Sequence, residues 1–159
     1  MTAPDLQAAA DSLAIGISII DRATAHAAST PGIDDQQTFL YDLAHAASAI
    51  EISRSLLDYG AKGDVEGKIA CAFIADALAE LQTKLFGQEE SWGVEQGEID
   101  MARNFIAKFK SPDFVASLST VNAPMHLDED FEMVADTFRR FAEDKIAPKA
   151  EHIHREDTD

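Results

Sequence analysis

Apolar residues recur along most of this chain at spacings of three and four, the period of one face of an α-helix. The pattern predicts helices over residues 5–28, 35–59, 64–86 and 98–110, a short helical turn over 112–118, and a last helix that begins near residue 128. The positions expected to face a common core are Leu6, Ala10, Leu13, Ile17, Ile20, Phe39, Leu43, Ala47, Ile50, Leu57, Ile74, Leu78, Leu81, Leu85, Ile99, Ala102, Phe105, Ile106 and Phe109. No segment reads as a strand, so we expect an all-α protein.

Two short segments separate the first three predicted helices. The first helix ends at Ser29-Thr30-Pro31-Gly32, because the residue before a proline avoids helical geometry and glycine favours a turn. Asp34 or Asp35 is the expected N-cap of the second helix, and Gly60 is the expected left-handed cap at its end. Because the linker at 60–63 is short and many inward positions are alanine, the second and third helices should be close antiparallel neighbours. We therefore predict an up-and-down helical bundle of about four to five helices plus a C-terminal helix.

The composition changes along the chain and indicates two parts. Residues 1–119 are predicted to form the helical bundle, residues 120–127 a linker with a proline, and residues 128–159 the first helix of a further element. Because the packing partners of that helix are missing from the sequence, the chain looks truncated after Asp159. We also expect poor order after about Lys149.

Charge narrows the classes of partner. The chain of 159 residues has a formal net charge of -16, and its acidic residues are interspersed along the predicted helices. Such a surface repels phosphate backbones and anionic lipids, so no nucleic acid and no membrane partner is expected. The N-terminus lacks the basic start of a signal peptide, and the only cysteine, Cys71, lies among apolar residues. A cytoplasmic protein with a buried structural thiol is the expectation.

A search for chemistry finds no complete active site. Phosphate-binding glycine loops and nucleophile motifs are absent from the sequence. The acidic run Asp128-Glu129-Asp130 is interpreted as a helix cap, and Glu51 with Arg54 as a helical ion pair. Trp92 is either a lid over the bundle or an interface anchor. None of the histidines stands in a metal-ligand spacing, and these are His26, His45, His126, His152 and His154. No catalytic, cofactor-binding or metal residue is therefore named.

One segment nevertheless resembles a known family. Residues 131–157, FEMVADTFRRFAEDKIAPKAEHIHRED, resemble the first helix of the acyl-CoA dehydrogenases. The residues that carry the resemblance are Phe138, Arg139, Phe141-Ala142-Glu143, Ile146-Ala147-Pro148 and Arg155-Glu156. A proline inside a helix clashes with the carbonyl four residues back, here at Asp144, and costs about 3 kcal/mol unless compensated. A kinked or terminated helix that packs against later elements would tolerate Pro148.

A weaker resemblance lies upstream and departs from the family. Residues of the second and third predicted helices look like paired helices of the same family's C-terminal domain, namely Tyr41-Asp42-Leu43-Ala44, Ala49, Glu51, Arg54-Ser55-Leu56-Leu57 and Lys68. The Ile-His-Gly-Gly turn that carries FAD contacts in that family is absent, and Phe86-Gly87-Gln88-Glu89-Glu90-Ser91-Trp92-Gly93 stands there instead. An N-terminal helical extension is a feature of the (2S)-methylsuccinyl-CoA dehydrogenases, which are the most similar members.

The resemblance implies a larger flavoenzyme of which this chain is the non-catalytic N-terminal region, serving packing or oligomerisation. The full enzyme would oxidise an acyl-CoA thioester to the 2,3-enoyl-CoA, with methylsuccinyl-CoA as a candidate substrate. A carboxylate base, FAD and an electron-transferring flavoprotein would take part, all through residues outside this chain. Its partners would be the remainder of the parent dehydrogenase and further copies in a homo-oligomer. The alternative is a stand-alone helical protein-interaction module without enzymatic activity.

Overall fold

The chain folds entirely into helices in the part that the structure describes. A computed structural model describes residues 2–156, apart from the side chain of Ile33, and contains no strand in that range. The α-helices are α1 (Leu6–Ser29), α2 (Gln37–Gly60), α3 (Asp64–Leu85), α4 (Arg103–Phe109), α5 (Pro112–Leu118), α6 (Glu129–Phe141) and α7 (Ala147–Glu156). The all-α prediction is confirmed. The chain divides into two compact units, which separate between Ala123 and Pro124.

Helices α2 and α3 pack antiparallel in the first unit, as predicted. At one end, Gly60 at the close of α2 lies against Gly67 and Ala70 in the first half of α3. At the other end, Asp42 near the start of α2 accepts a hydrogen bond from Lys84 near the end of α3. Helix α1 packs against both, and these contacts build an up-and-down arrangement.

The expected roles of three polar and glycine residues at α2 were wrong. Asp34 and Asp35 do not cap α2, because they lie inside a separate 3-10 helix, Ile33–Gln36, that precedes it. Gly60 is buried in the last position of α2 and is not in the left-handed region. A Cβ atom at Gly60 would come within 2.9 Å of the Ala70 Cβ, so this glycine permits close helix approach.

The core of the first unit contains the predicted positions. Every residue expected to face the core is buried or half-buried. The predicted fourth helix is divided, since Glu98–Ala102 forms a 3-10 helix ahead of α4. Phe109 and Phe114 pack edge to face at 5.1 Å between ring centroids and hold α5 to α4. The Ser111 hydroxyl accepts the Phe114 amide, as expected for a cap before Pro112.

The second unit is one run of helix from Glu129 to Glu156, interrupted by a π-helical turn. The Asp128 carboxylate caps α6 by accepting the Phe131 amide at 3.0 Å, which confirms the predicted capping role. The π-turn spans Ala142–Ile146 and ends at Ala147, directly before Pro148. The expectation of poor order after Lys149 differs from the structure, in which α7 continues to Glu156; residues 157–159 lie outside the described part. Between residues 2 and 156, no helix is long and apolar enough to cross a membrane.

Candidate functional site

The C-terminal unit presents an exposed row of large apolar side chains. Phe131, Val134, Phe138 and Phe141 follow one another at spacings of three, four and three, and therefore share one face of α6. No residue of α6 or α7 is buried. Globular proteins rarely leave a continuous apolar face in water without a partner, so this face is the strongest interaction candidate in the unit.

The π-turn extends this row into α7. Ile146 follows Phe141 by five residues, and an unbroken α-helix would rotate it far from the phenylalanine face. In the π-turn the Ala147 amide bonds to the Ala142 carbonyl, five residues back, so the turn takes up one extra residue. Ile146 thereby stays on the face, and Ile153 follows it after two further turns. We call the six residues of this face the apolar row, and they are Phe131, Val134, Phe138, Phe141, Ile146 and Ile153.

Charged side chains of the same unit pair with one another along the helix. Arg139 donates to the Asp136 carboxylate at 2.9 Å, and Arg140 lies 4.0 Å from the same group. Arg155 and Glu151 form a pair one turn apart at 2.6 Å. These pairs are exposed and contribute a few tenths of a kcal/mol each. The charges therefore solubilise the helix and leave the apolar row as its unpaired feature.

The family-like residues divide between this face and the solvent side. Phe138 and Phe141 belong to the apolar row, whereas Arg139 forms the intrahelical pair with Asp136. Pro148 lies in the first turn of α7, just after the π-turn that shifts the hydrogen-bond register. Arg155 and Glu156 end the described helix. The resemblance thus places aromatic residues for packing, and it places no group for acid–base chemistry or metal binding.

The first unit contains an open apolar groove between α3 and α5. Its volume is about 610 Å³, and its walls are Ile69, Ala72, Phe73, Pro112, Val115 and Leu118. Lys110 and Asp76 close one side as an ion pair. Sequence reasoning missed this groove, because its walls are two helices about forty residues apart in the chain. The spacing of Ile69, Phe73 and Asp76 on α3 is the only sequence signal that pointed outward from the core.

The other candidates take structural roles. Glu51 and Arg54 form the predicted ion pair at 3.0 Å, and Asp42 bonds to Lys84. Trp92 is 3% exposed and meets Phe39 edge to face at 5.4 Å, which agrees with a lid over the bundle. Cys71 is fully buried, as predicted, and burial raises the pKa of its thiol.

The histidines contribute no metal site in the part of the chain that is described. His45 stacks on the ring of Tyr41 at 4.4 Å, and His152 and His154 are exposed on α7. Across residues 2–156 no three histidine, cysteine or carboxylate side chains are grouped so that they could hold an ion.

Neither surface fits FAD. A flavin dinucleotide needs backbone amides or basic groups for its pyrophosphate. The groove of the first unit has apolar walls, and its one lysine, Lys110, is already paired with Asp76. Helix α6 begins at an N-terminus that Asp128 caps and that carries Glu129 and Asp130, which repel phosphate. No step of a flavin reaction is therefore assigned to this chain.

Comparison of the chain with protein-family models, with curated proteins and with solved structures found no match.

Proposed function

We propose that this chain is the non-catalytic, N-terminal helical region of an FAD-dependent acyl-CoA dehydrogenase, with a role in packing or oligomerisation. The observation that carries the proposal is the form of residues 129–156, which are one helical run with an exposed apolar row. The same residues supply the family-like segment. A helix of this kind is built for contact, and it has no buried acid, base or nucleophile.

The first unit supports a supporting role for the bundle. Its charged groups are used in helix-to-helix bonds, such as those of Lys84 with Asp42 and of Arg22 with Glu98. Its groove is apolar and lacks a free catalytic group among its walls. In the proposed parent enzyme the dehydrogenation of the acyl-CoA, with methylsuccinyl-CoA as the candidate substrate, takes place on other residues.

The intact mass and the flavin content of the natural gene product test this proposal. We expect a mass several times 17.3 kDa, a flavin absorbance spectrum and acyl-CoA-dependent reduction of electron-transferring flavoprotein. A flavin-free product of 17.3 kDa contradicts the proposal. The isolated chain should bind no FAD, and stoichiometric flavin on it would also contradict the assignment.

A stand-alone interaction module is the second candidate function. The open groove on the first unit favours it, since an apolar concavity of about 610 Å³ can receive side chains of another protein. A natural product that ends near residue 159 and carries no flavin supports this alternative and opposes the first.

A further inference from the structure

We propose that the apolar row of α6 and α7 is a self-association surface, on which the same row of a second copy packs antiparallel. This inference deepens the proposed packing role of the C-terminal helix and rests on that part of the proposed function. It names the partner, the surface and the orientation.

The exposure of the row is too large for a helix face that stays in water. Its six side chains are between 42% and 69% exposed, and they include three phenylalanines. Burying such side chains contributes about 1.5–3 kcal/mol each. An isolated pair of helices of this length needs a contribution of that order, because ordering two chains costs several kcal/mol.

The spacing of the row matches the seam of a two-helix coiled coil. Residues 131, 134, 138 and 141 alternate by three and four, which is the a and d pattern of a heptad. The π-turn counts as one inserted residue, and with that correction Ile146, Lys149 and Ile153 continue the same pattern. The seam thus extends along both helices, with a lysine as its one polar member.

An antiparallel arrangement brings every position of this seam opposite another. With the twofold axis midway between Phe138 and Phe141, Phe138 faces Phe141 of the second copy. In the same register Val134 faces Ile146 of the second copy, and Phe131 faces Lys149. Each contact occurs twice, as a twofold interface requires.

Charge selects the antiparallel orientation and a second copy as the occupant. Residues 128–136 contain five acidic side chains and no basic one. Arg139, Arg140 and Lys145 follow, and Lys149 lies in the seam itself. Opposed helices place Lys149 beside the acidic turn at Asp130 of the other copy, whereas parallel helices align the two acidic turns. The oppositely directed helix dipoles favour the same arrangement.

Sedimentation equilibrium of the 159-residue chain over about 1–200 µM tests the surface. We expect a mass twice 17.3 kDa at the upper concentrations. Phe138→Asp, which puts a charge in the seam, should weaken dimerisation at least a hundredfold. Met133→Asp is the matched control: Met133 is 65% exposed on another side of α6 and should leave dimerisation unchanged.

A charge exchange tests the orientation. Lys149→Glu should weaken dimerisation about tenfold, because each copy then opposes two acidic groups. Adding Asp130→Lys should restore it. In a parallel dimer these positions lie about 28 Å apart, at about 1.5 Å per residue, and no rescue follows.

Four results overturn the inference. They are a chain that stays monomeric to 200 µM, a dimer insensitive to Phe138→Asp, equal weakening by Met133→Asp, and failure of the charge exchange to rescue. A monomeric chain leaves the row for another occupant, such as a later segment of a longer protein. The flavin and intact-mass measurements are independent of these results, so self-association can fail while the proposed function stands, and the reverse.

Discussion

The Lys84 ammonium lies 2.7 Å from the Oδ1 atom of Asp42 and bonds the last turn of α3 to the first half of α2. The two side chains are 17% and 37% exposed. The hydrogen bond to Asp42 raises the pKa of Lys84 above its usual value of 10.5, and this outweighs the opposing effect of partial burial. The pair therefore stabilises the antiparallel packing of α2 and α3 only while the lysine is charged.

Lys84→Met should lower the free energy of unfolding by about 1 kcal/mol or less at pH 7, given the partial exposure of the pair. The folded lysine binds its proton more tightly than the unfolded one, so the contribution is complete below pH 10.5 and disappears as the pH rises through the raised value. Urea unfolding of both proteins at pH 7, 9 and above 11 measures the difference. Lys62→Met, at an exposed site, is the control and should show no such pH dependence. A difference that persists at the highest pH contradicts the assignment.

Gly60→Val should destabilise the bundle, because the new Cβ meets the Ala70 Cβ and the Leu6 Cδ2 at 2.9 Å. The Ala70 Cβ is fixed to the backbone of α3, so the helices must separate. Overpacking of this kind costs about 1–3 kcal/mol. Ala44→Val, on the exposed side of the same helix, carries the same β-branched penalty without the contact. Equal unfolding midpoints for the two variants would show that the close approach is unimportant.

Trp92→Ala tests whether the 88–97 loop is part of the core. Trp92 is almost fully buried against Phe39, and loss of such a side chain costs about 3–5 kcal/mol. Phe86→Ala is the control, since Phe86 is 85% exposed at the start of the same connection and should change stability by less than about 0.5 kcal/mol. Helical circular dichroism in urea measures both. A small effect of Trp92→Ala would return the tryptophan to the interface interpretation.

Local periodicity was sufficient to predict the helices, because residues such as Leu43, Ile50 and Leu78 are buried by their position on one helical face. The sequence could not reveal why Gly60 is a glycine, since a cap and a close contact use the same residue. The contact with Ala70 depends on the fold of α2 against α3.

The candidate surfaces show the same division. The phenylalanine spacing on α6 is visible in the sequence, and so is Pro148. The π-turn that brings Ile146 into the row is not visible, because a five-residue step reads as an interruption of a helical stripe. The groove between α3 and α5 also needed the tertiary structure.

Cys71 provides a probe of how the first unit opens. Its side chain is fully buried at the start of α3, and Sγ accepts the Asp5 amide at 3.4 Å. Desolvation raises the thiol pKa, and the hydrogen bond from Asp5 opposes this only in part. Since thiol reagents attack the thiolate, the native chain should react only after local or global opening.

Labelling of the native chain with a thiol reagent at pH 8 should therefore be at least about a thousandfold slower than labelling in urea. Trp92→Ala should accelerate the native reaction by the factor that matches its loss of stability, provided opening is fast compared with labelling. The raised pKa also means that the unfolded chain loses the thiol proton first, so stability should fall as the pH rises above about 9. Cys71→Ala should lack that component. Equal labelling rates with and without urea would show that α1 does not cover the thiol, and would contradict the packing of Asp5 against α3.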